Sequence, residues 1–389
     1  MKVLRWALNG LLMALPDFGD WNYYLRLVDE YAELGEIEDI KQDVLAAIEY
    51  LRSIFGEKWP TLESLKGHPL LRGGRLSGIS RWQRLWLIDF AKSVRELLNR
   101  GFGPDIISRL SSSKHYLDAE AEVIFAGQLL DLGIDVCPAE MIQGKKADLR
   151  IVLEDSEVYV EVSNIRESSE EKWAMDTFDE IINHELKLLA KFPDIGFGGK
   201  IFRSLSKPHL AVAKREISQA FDRATREVVV KIREEGVYEF DIYQTSVRGQ
   251  EPTLRGNLQG PDFDPSGPAR IVTKIRKEVE QIPKNGPGLL VLFDQNLLLW
   301  GLAEDSWRHV AARFCESVYE YSWLVGAIAT RSYSGQGTSR EVEENAECTV
   351  VRRTRYENLQ EETILVPNRF GSYFPLGTRF FQRIASSNP

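Results

Sequence analysis

The chain has 389 residues, 43% hydrophobic and 28% charged, which is ample material for a core and excludes a disordered or low-complexity protein. Three cysteines, Cys137, Cys315 and Cys348, lie far apart with no CxxC pair; this argues against a disulfide framework or zinc ribbon and leads us to expect a reducing, cytoplasmic location. The net charge of −9 argues against a uniformly basic surface, yet residues 29–63 hold ten acidic and three basic side chains while residues 200–235 hold nine basic and five acidic.

At the start, Lys2 and Arg5 precede an apolar run, Trp6 to Leu15. Asn9 interrupts it, Pro16-Asp17 ends it and no small-x-small site follows, so a helix packed on the core is expected rather than a signal sequence. No later run approaches the ~20 apolar residues of a membrane span. Residues 1–112 read as a helical region. Asp39 to Phe55 spaces Ile40, Val44, Ala47, Ile48 and Leu51 as one helix face. Ser80 to Leu98 does the same with Trp82, Leu85, Trp86, Phe90, Val94 and Leu97. Between them a loop rich in glycine and arginine, Arg72 to Gly78, breaks any regular element.

Residues 113–389 read as α/β. Residues 114–133 predict a helix stopped at Gly133. A strand, Ile134 to Ala139, follows, then the loop Gln143-Gly144-Lys145-Lys146. Two more strands, joined by the turn Glu154 to Glu157, make a hairpin. Residues 165–235 read as largely helical, and Val237 to Val247 as a strand. An insertion is expected around 195–270, with glycine and proline at its end. Arg270 to Gln281 predicts a helix, and Leu289 to Phe293 a strand buried on both faces. A C-terminal extension carries strands near Leu324 to Thr330, Thr349 to Arg355 and Thr363 to Val366. This order points to a mixed β-sheet flanked by helices.

The hairpin carries the chemistry. Each of its strands bears a carboxylate where a hydrophobe is expected: Asp148 at the mouth of the first, Glu161 between Val160 and Val162 in the second. A carboxylate inside an apolar strand costs several kcal/mol unless it is paired or binds a metal. Alternation puts Tyr159, Glu161 and Ser163 on one face and Val158, Val160 and Val162 on the other. Thirteen residues separate Asp148 from Glu161, which fits two short strands and a turn, so the two carboxylates meet. Together they can hold Mg²⁺ or Mn²⁺ through hard oxygen ligands. Glu122, on an apolar stripe of the preceding helix, offers a third carboxylate. Glu120 and Asp118 are expected to face solvent. For each residue a plainer role competes: a turn residue at Asp148, a cross-strand pair of Glu161 with Arg150, a helix-surface charge at Glu122.

The stretch Ala119 to Asn164 resembles the core of the PD-(D/E)XK nuclease superfamily, the restriction-endonuclease-like fold. Glu122 matches the family's helix acid, Asp148 its aspartate, and Glu161 the acid of its last motif. Lys274 to Asp294 is similar to a later helix and strand of that family. The resemblance implies a metal-dependent nuclease, a hydrolase of nucleic acid, DNA rather than RNA, with Asp148 and Glu161 on the metal and Glu122 in support. It also allows a homodimer. Ser163 stands where the family has its lysine, and a serine cannot activate water in the same way. Lys145, Lys146, Lys172 or Lys274 would have to substitute. Candidate backbone contacts are Lys145, Lys146, Lys172, Arg203, Lys207, Lys214 and Arg215, whose pairing with phosphates would depend on salt. Two other readings stand beside this one: a nuclease fold that has lost catalysis and serves as a binding scaffold, and a hydrolase or transferase of a small phosphorylated molecule. Gly196 to Lys200 lacks the spacing of a phosphate loop, and Asp241 and Asp294 have no partner in sequence.

Overall fold

The computed structural model describes residues 20–387 except 34, 36, 65–67, 73–75, 77–79, 143, 166–168, 193, 246–255, 260–266, 295–305, 335–339, 345–346 and 357–358. The apolar run at Trp6 to Leu15 lies outside the described residues, as does most of the loop from Arg72 to Gly78. The chain divides into two compact units, one of residues 1–165 and 267–389, the other of residues 166–266.

The first unit opens on helices: α1 (Trp21–Glu33), α2 (Lys41–Phe55), α3 (Trp59–Ser64), α4 (Pro69–Arg72), α5 (Arg81–Asn99), α6 (Pro104–Leu110) and α7 (Tyr116–Asp131). Helix α2 buries the expected Val44, Ala47, Ile48 and Leu51. Helix α5 buries Trp86, Phe90, Val94 and Leu97 as expected, but Arg84, Leu87 and Ala91 rather than Trp82 and Leu85, while α7 is buried almost all round. Ser80 starts α5, its backbone N–H donating to Gln83 Oε1 at 3.2 Å. Gly133, at φ +68°, stops α7; the N–H of Gly133 and of Ile134 return to Leu130 and Leu129 carbonyls at 2.8 and 2.9 Å. Glu120 is fully buried rather than solvent-facing, because Tyr116, one turn earlier, donates its hydroxyl to it at 3.1 Å.

An eight-stranded mixed sheet forms the centre of this unit: β1 (Asp135–Pro138), β2 (Leu149–Leu153), β3 (Ser156–Asn164), β8 (Gly288–Asp294), β9 (Leu324–Ser334), β10 (Arg340–Glu344), β11 (Thr349–Tyr356) and β12 (Leu359–Pro367). Their spatial order is β1-β2-β3-β8-β9-β12-β11-β10. The pairs β3–β8 and β8–β9 are parallel, and the remaining pairs antiparallel. All seven residues of β8 are buried, as expected of a parallel strand covered on both faces. On one face Val160, Val162, Val291 and Ile328 pack with the helical region and with α12 (Phe374–Ser386). On the other, Leu290, Leu292, Ala329 and Ile364 pack with α10 (Gly267–Val279) and α11 (Ser306–Val318).

β12 begins at Leu359, four residues before the expected Thr363, since its charged half is buried too. Glu361 is held by Arg353 and Arg355 at 2.5 and 3.0 Å, and Glu362 by Arg331 and Arg352 at 3.0 and 2.6 Å.

The second unit takes in much of the expected insertion and adds α8 (Ser169–Lys191). The rest is β4 (Ile195–Ile201), α9 (Lys207–Ala224), β5 (Val229–Glu234), β6 (Tyr238–Gln244) and β7 (Gly256–Gln259). Its four strands lie in the order β5-β6-β4-β7. Phe197, Phe240, Ile217 and Phe221 form its separate core. The segment is therefore less helical than expected. Gly196 to Lys200 is strand, and its glycines serve close packing: a Cβ on Gly199 would lie 2.2 Å from the Glu239 carbonyl oxygen.

Candidate active site

The hairpin folds as its alternation predicts. Leu149 pairs with Val160 and Leu153 with Ser156, leaving Glu154 and Asp155 as a two-residue turn with Glu154 at φ +55°. Leu149, Ile151, Val158, Val160 and Val162 enter the core with α7. Asp148, Glu161 and Ser163 take the alternate positions. Asp148 is locked to the neighbouring strand twice: its N–H donates to the Val160 carbonyl at 3.1 Å, and its Oδ2 accepts from the Val162 N–H at 2.9 Å. Arg150 pairs with Glu157 rather than with Glu161. The cross-strand alternative for Glu161 is not realised, because the register sets Arg150 opposite Tyr159.

Three expected carboxylates come together. Glu122, on α7, is 2% exposed, and Arg109 of α6 grips both its oxygens, Nη2 at 2.7 Å from Oε2. Burial pushes the Asp148 carboxyl well up, the nearby Glu122 pushes it further, and the Val162 N–H and Arg109 oppose both. Glu161 is 4% exposed, and its Oε2 has no hydrogen-bond partner among the described residues. Burial first, then the charges of Asp148, Glu278 and Glu122, push its carboxyl up to about 10, while Lys274 pulls the other way.

Glu278 and Lys274 reach the site from α10, which packs on β3 and β8. Lys274 Nζ lies 2.9 Å from Glu278 Oε1. Gln281 Nε2 donates to Glu278 Oε2 at 2.7 Å. Sequence reasoning weighed Lys274 but missed Glu278 and Arg109. The signal for Glu278 was an acid at i+4 from that lysine, next to the apolar positions Ile275, Val279 and Ile282. Arg109 gave no comparable signal. Ser163 is buried two residues beyond Glu161 in β3.

Among the other candidates, Lys145 lies 3.5 Å from Glu280, and Lys146 is exposed. The Lys172 side chain lies outside the described residues. Arg203, Lys207 and Arg215 are exposed on the second unit, where Lys214 pairs with Glu180. Among the described residues, no three carboxylate, imidazole or thiol groups are arranged to hold a metal ion. A cavity of about 150 Å³ opens elsewhere in the first unit, lined by Gln128, Thr330, Arg353, Arg355 and Tyr356 among others, and includes none of these carboxylates. Among the described residues no helix is long and apolar enough to cross a membrane. No family model, curated protein or solved structure matches the chain.

Three acids, Glu122, Asp148 and Glu161, thus act on one another, Glu278 adds its charge to Glu161, and two cations oppose them, Arg109 beside Glu122 and Asp148 and Lys274 beside Glu161. That leaves an excess negative charge in a desolvated place. Such a group either takes up protons or receives a cation.

Proposed function

We propose that the first unit is a metal-dependent nuclease of restriction-endonuclease-like fold, acting on nucleic acid and on DNA in preference to RNA. One observation carries the reading: Asp148 is hydrogen-bonded across to β3 beside Glu161, whose buried Oε2 lacks a partner among the described residues. An unsatisfied carboxylate oxygen next to a second acid is what a hard divalent cation seeks, and Mg²⁺ or Mn²⁺ completes its shell with water when protein ligands are few. Asp148 and Glu161 would hold the ion. When bound, it would acidify a water molecule and offset charge building on the phosphodiester.

Arg109 fixes Glu122 in place and lends positive charge to the rim of the site. Lys274 takes over from the lysine that Ser163 replaces. Its ammonium is near enough to Glu161 to oppose that group's raised pKa, and its 2.9 Å contact with Glu278 holds it on the sheet side of α10. From there it orients a water molecule or balances charge on a phosphate oxygen. Ser163 contributes at most a hydroxyl.

A second reading has one observation in its favour. Both oxygens of Glu122 are committed to Arg109, and no three-ligand set exists among the described residues. That arrangement suits a scaffold that binds without cutting.

The deciding experiment is a cleavage assay on single- and double-stranded DNA and on RNA, in Mg²⁺ and in Mn²⁺. Asp148→Asn, Glu161→Gln and Lys274→Ala run beside the parent. Metal-dependent cleavage lost in the first two and lowered about 10²-fold or more in the third is the expected result, the size typical of removing a proton-transfer or charge-balancing group. An inactive parent, or equal cleavage by all four proteins, removes the nuclease reading and leaves the scaffold.

A further inference from the structure

Residues 195–215 carry five lysines and arginines and not one acid, in a chain whose net charge is −9. The middle of this stretch is a short loop between β4 and α9, in which Phe202 is 43% exposed. The backbone there is pinned: the Phe202 N–H donates to the Val237 carbonyl at 2.9 Å, and the Leu205 side chain is fully buried. Trp173 of α8, half-buried, closes the loop from the side by donating its indole N–H to the Leu205 carbonyl at 2.7 Å.

Each ring has a cation against it. Lys200 Nζ is 5.7 Å from the Phe202 ring centre, and Lys207 Nζ is 5.8 Å from that of Trp173. Arg203 stands between the two in sequence, and neither it nor Lys207 has a carboxylate partner among the described residues. An exposed ring on a pinned loop is available for stacking without first paying to order it. Interleaved cations suit a chain of phosphates running past. A duplex hides its base faces, an acidic peptide has no row of flat rings, and only a single strand offers both.

We propose that the loop from Lys200 to Lys207 is a binding surface for single-stranded nucleic acid, with a base on Phe202 and phosphates on Arg203 and Lys207. This rests on the nuclease reading and narrows its substrate to a strand with unpaired bases.

The test is fluorescence anisotropy in EDTA, so that nothing is cut. The probes are a fluorescein-labelled oligothymidine of about sixteen nucleotides, long enough for one such site, and a duplex of mixed sequence. Circular dichroism checks the fold of every variant. Phe202→Ala is expected to weaken the single strand about fivefold or more and leave the duplex unchanged, with Phe202→Tyr close to the parent. Arg203→Glu with Lys207→Glu is expected to weaken the single strand further and to flatten its salt dependence. Unchanged single-strand binding in Phe202→Ala and in the double variant overturns the surface, whatever the cleavage assay shows. So does a parent that binds anionic phospholipid vesicles through these residues and ignores the oligothymidine. Patch-dependent binding with no cleavage in any metal overturns the nuclease reading alone.

Discussion

Glu161 is a carboxyl kept where water cannot reach it and where three other acids repel its charge. Its pKa in the folded chain, about 10, lies above the unfolded value of 4.5. The stability it contributes is therefore complete below about pH 4.5 and is lost as pH climbs toward 10. Asp148 is shifted in the same direction and steepens the loss. Without metal, the protein is expected to melt at progressively lower temperature from pH 5 to pH 9. Glu161→Gln, which keeps the shape and removes the charge, should flatten that slope. At pH 8 it should raise Tm by about 5 °C, the rough equivalent of 2 kcal/mol in a unit of this size. Differential scanning calorimetry in EDTA reads both effects. A variant less stable than the parent at pH 8 would mean that Glu161 is ionised and satisfied there, against what the orphaned Oε2 implies. Mn²⁺ should reverse the order, raising the parent's Tm and leaving the glutamine variant behind.

At the level of elements, helix α12 shows how tightly the sheet is covered. A Cβ on its Gly377 would lie 2.3 Å from the Val325 carbonyl oxygen of β9. Gly377→Ala must push a helix off a strand and is expected to cost about 3 kcal/mol. Gly101, at φ +87° with nothing within 4 Å of the added atom, is a control in which alanine meets only backbone strain, about 1 kcal/mol. Urea midpoints separate the two, and equal midpoints would show that α12 docks more loosely than this. The elements legible in the sequence were those whose pattern is local. The alternation of Val158, Val160 and Val162 gave away β3, the unbroken run at Leu289 gave away β8, and the spacing of Asp148 and Glu161 put the two acids side by side. The elements that escaped depend on distant partners. The first half of β12 looks too charged for a buried strand until arginines of β9 and β11 are set beside it. Two glycines in a row disguised β4, and the charged, helix-favouring residues of Lys231 to Glu234 disguised β5. Lys274 and Glu278 reach the site from more than a hundred residues downstream, where no local pattern announces their neighbours.

On the scale of the whole molecule, the second unit has a core of its own, and the first has a separate core on each face of its sheet. Replacing residues 166–266 by a short glycine-serine linker is expected to leave the first unit with a single cooperative melting transition and to abolish oligothymidine binding. A deletion protein that aggregates without any transition would refute that independence. The sheet order also says something about how the chain assembles. β3 finishes at Asn164, and its parallel neighbour β8 begins only at Gly288. Closing so long a loop is slow for an unstructured chain. During synthesis the hairpin must wait with one edge bare, a template for pairing with other chains. The intervening unit emerges from the ribosome first, and by folding early it shortens the stretch of unstructured chain left to be closed. Slowing translation before Gly288 should then help the yield of native protein, and crowding many nascent chains together should harm it.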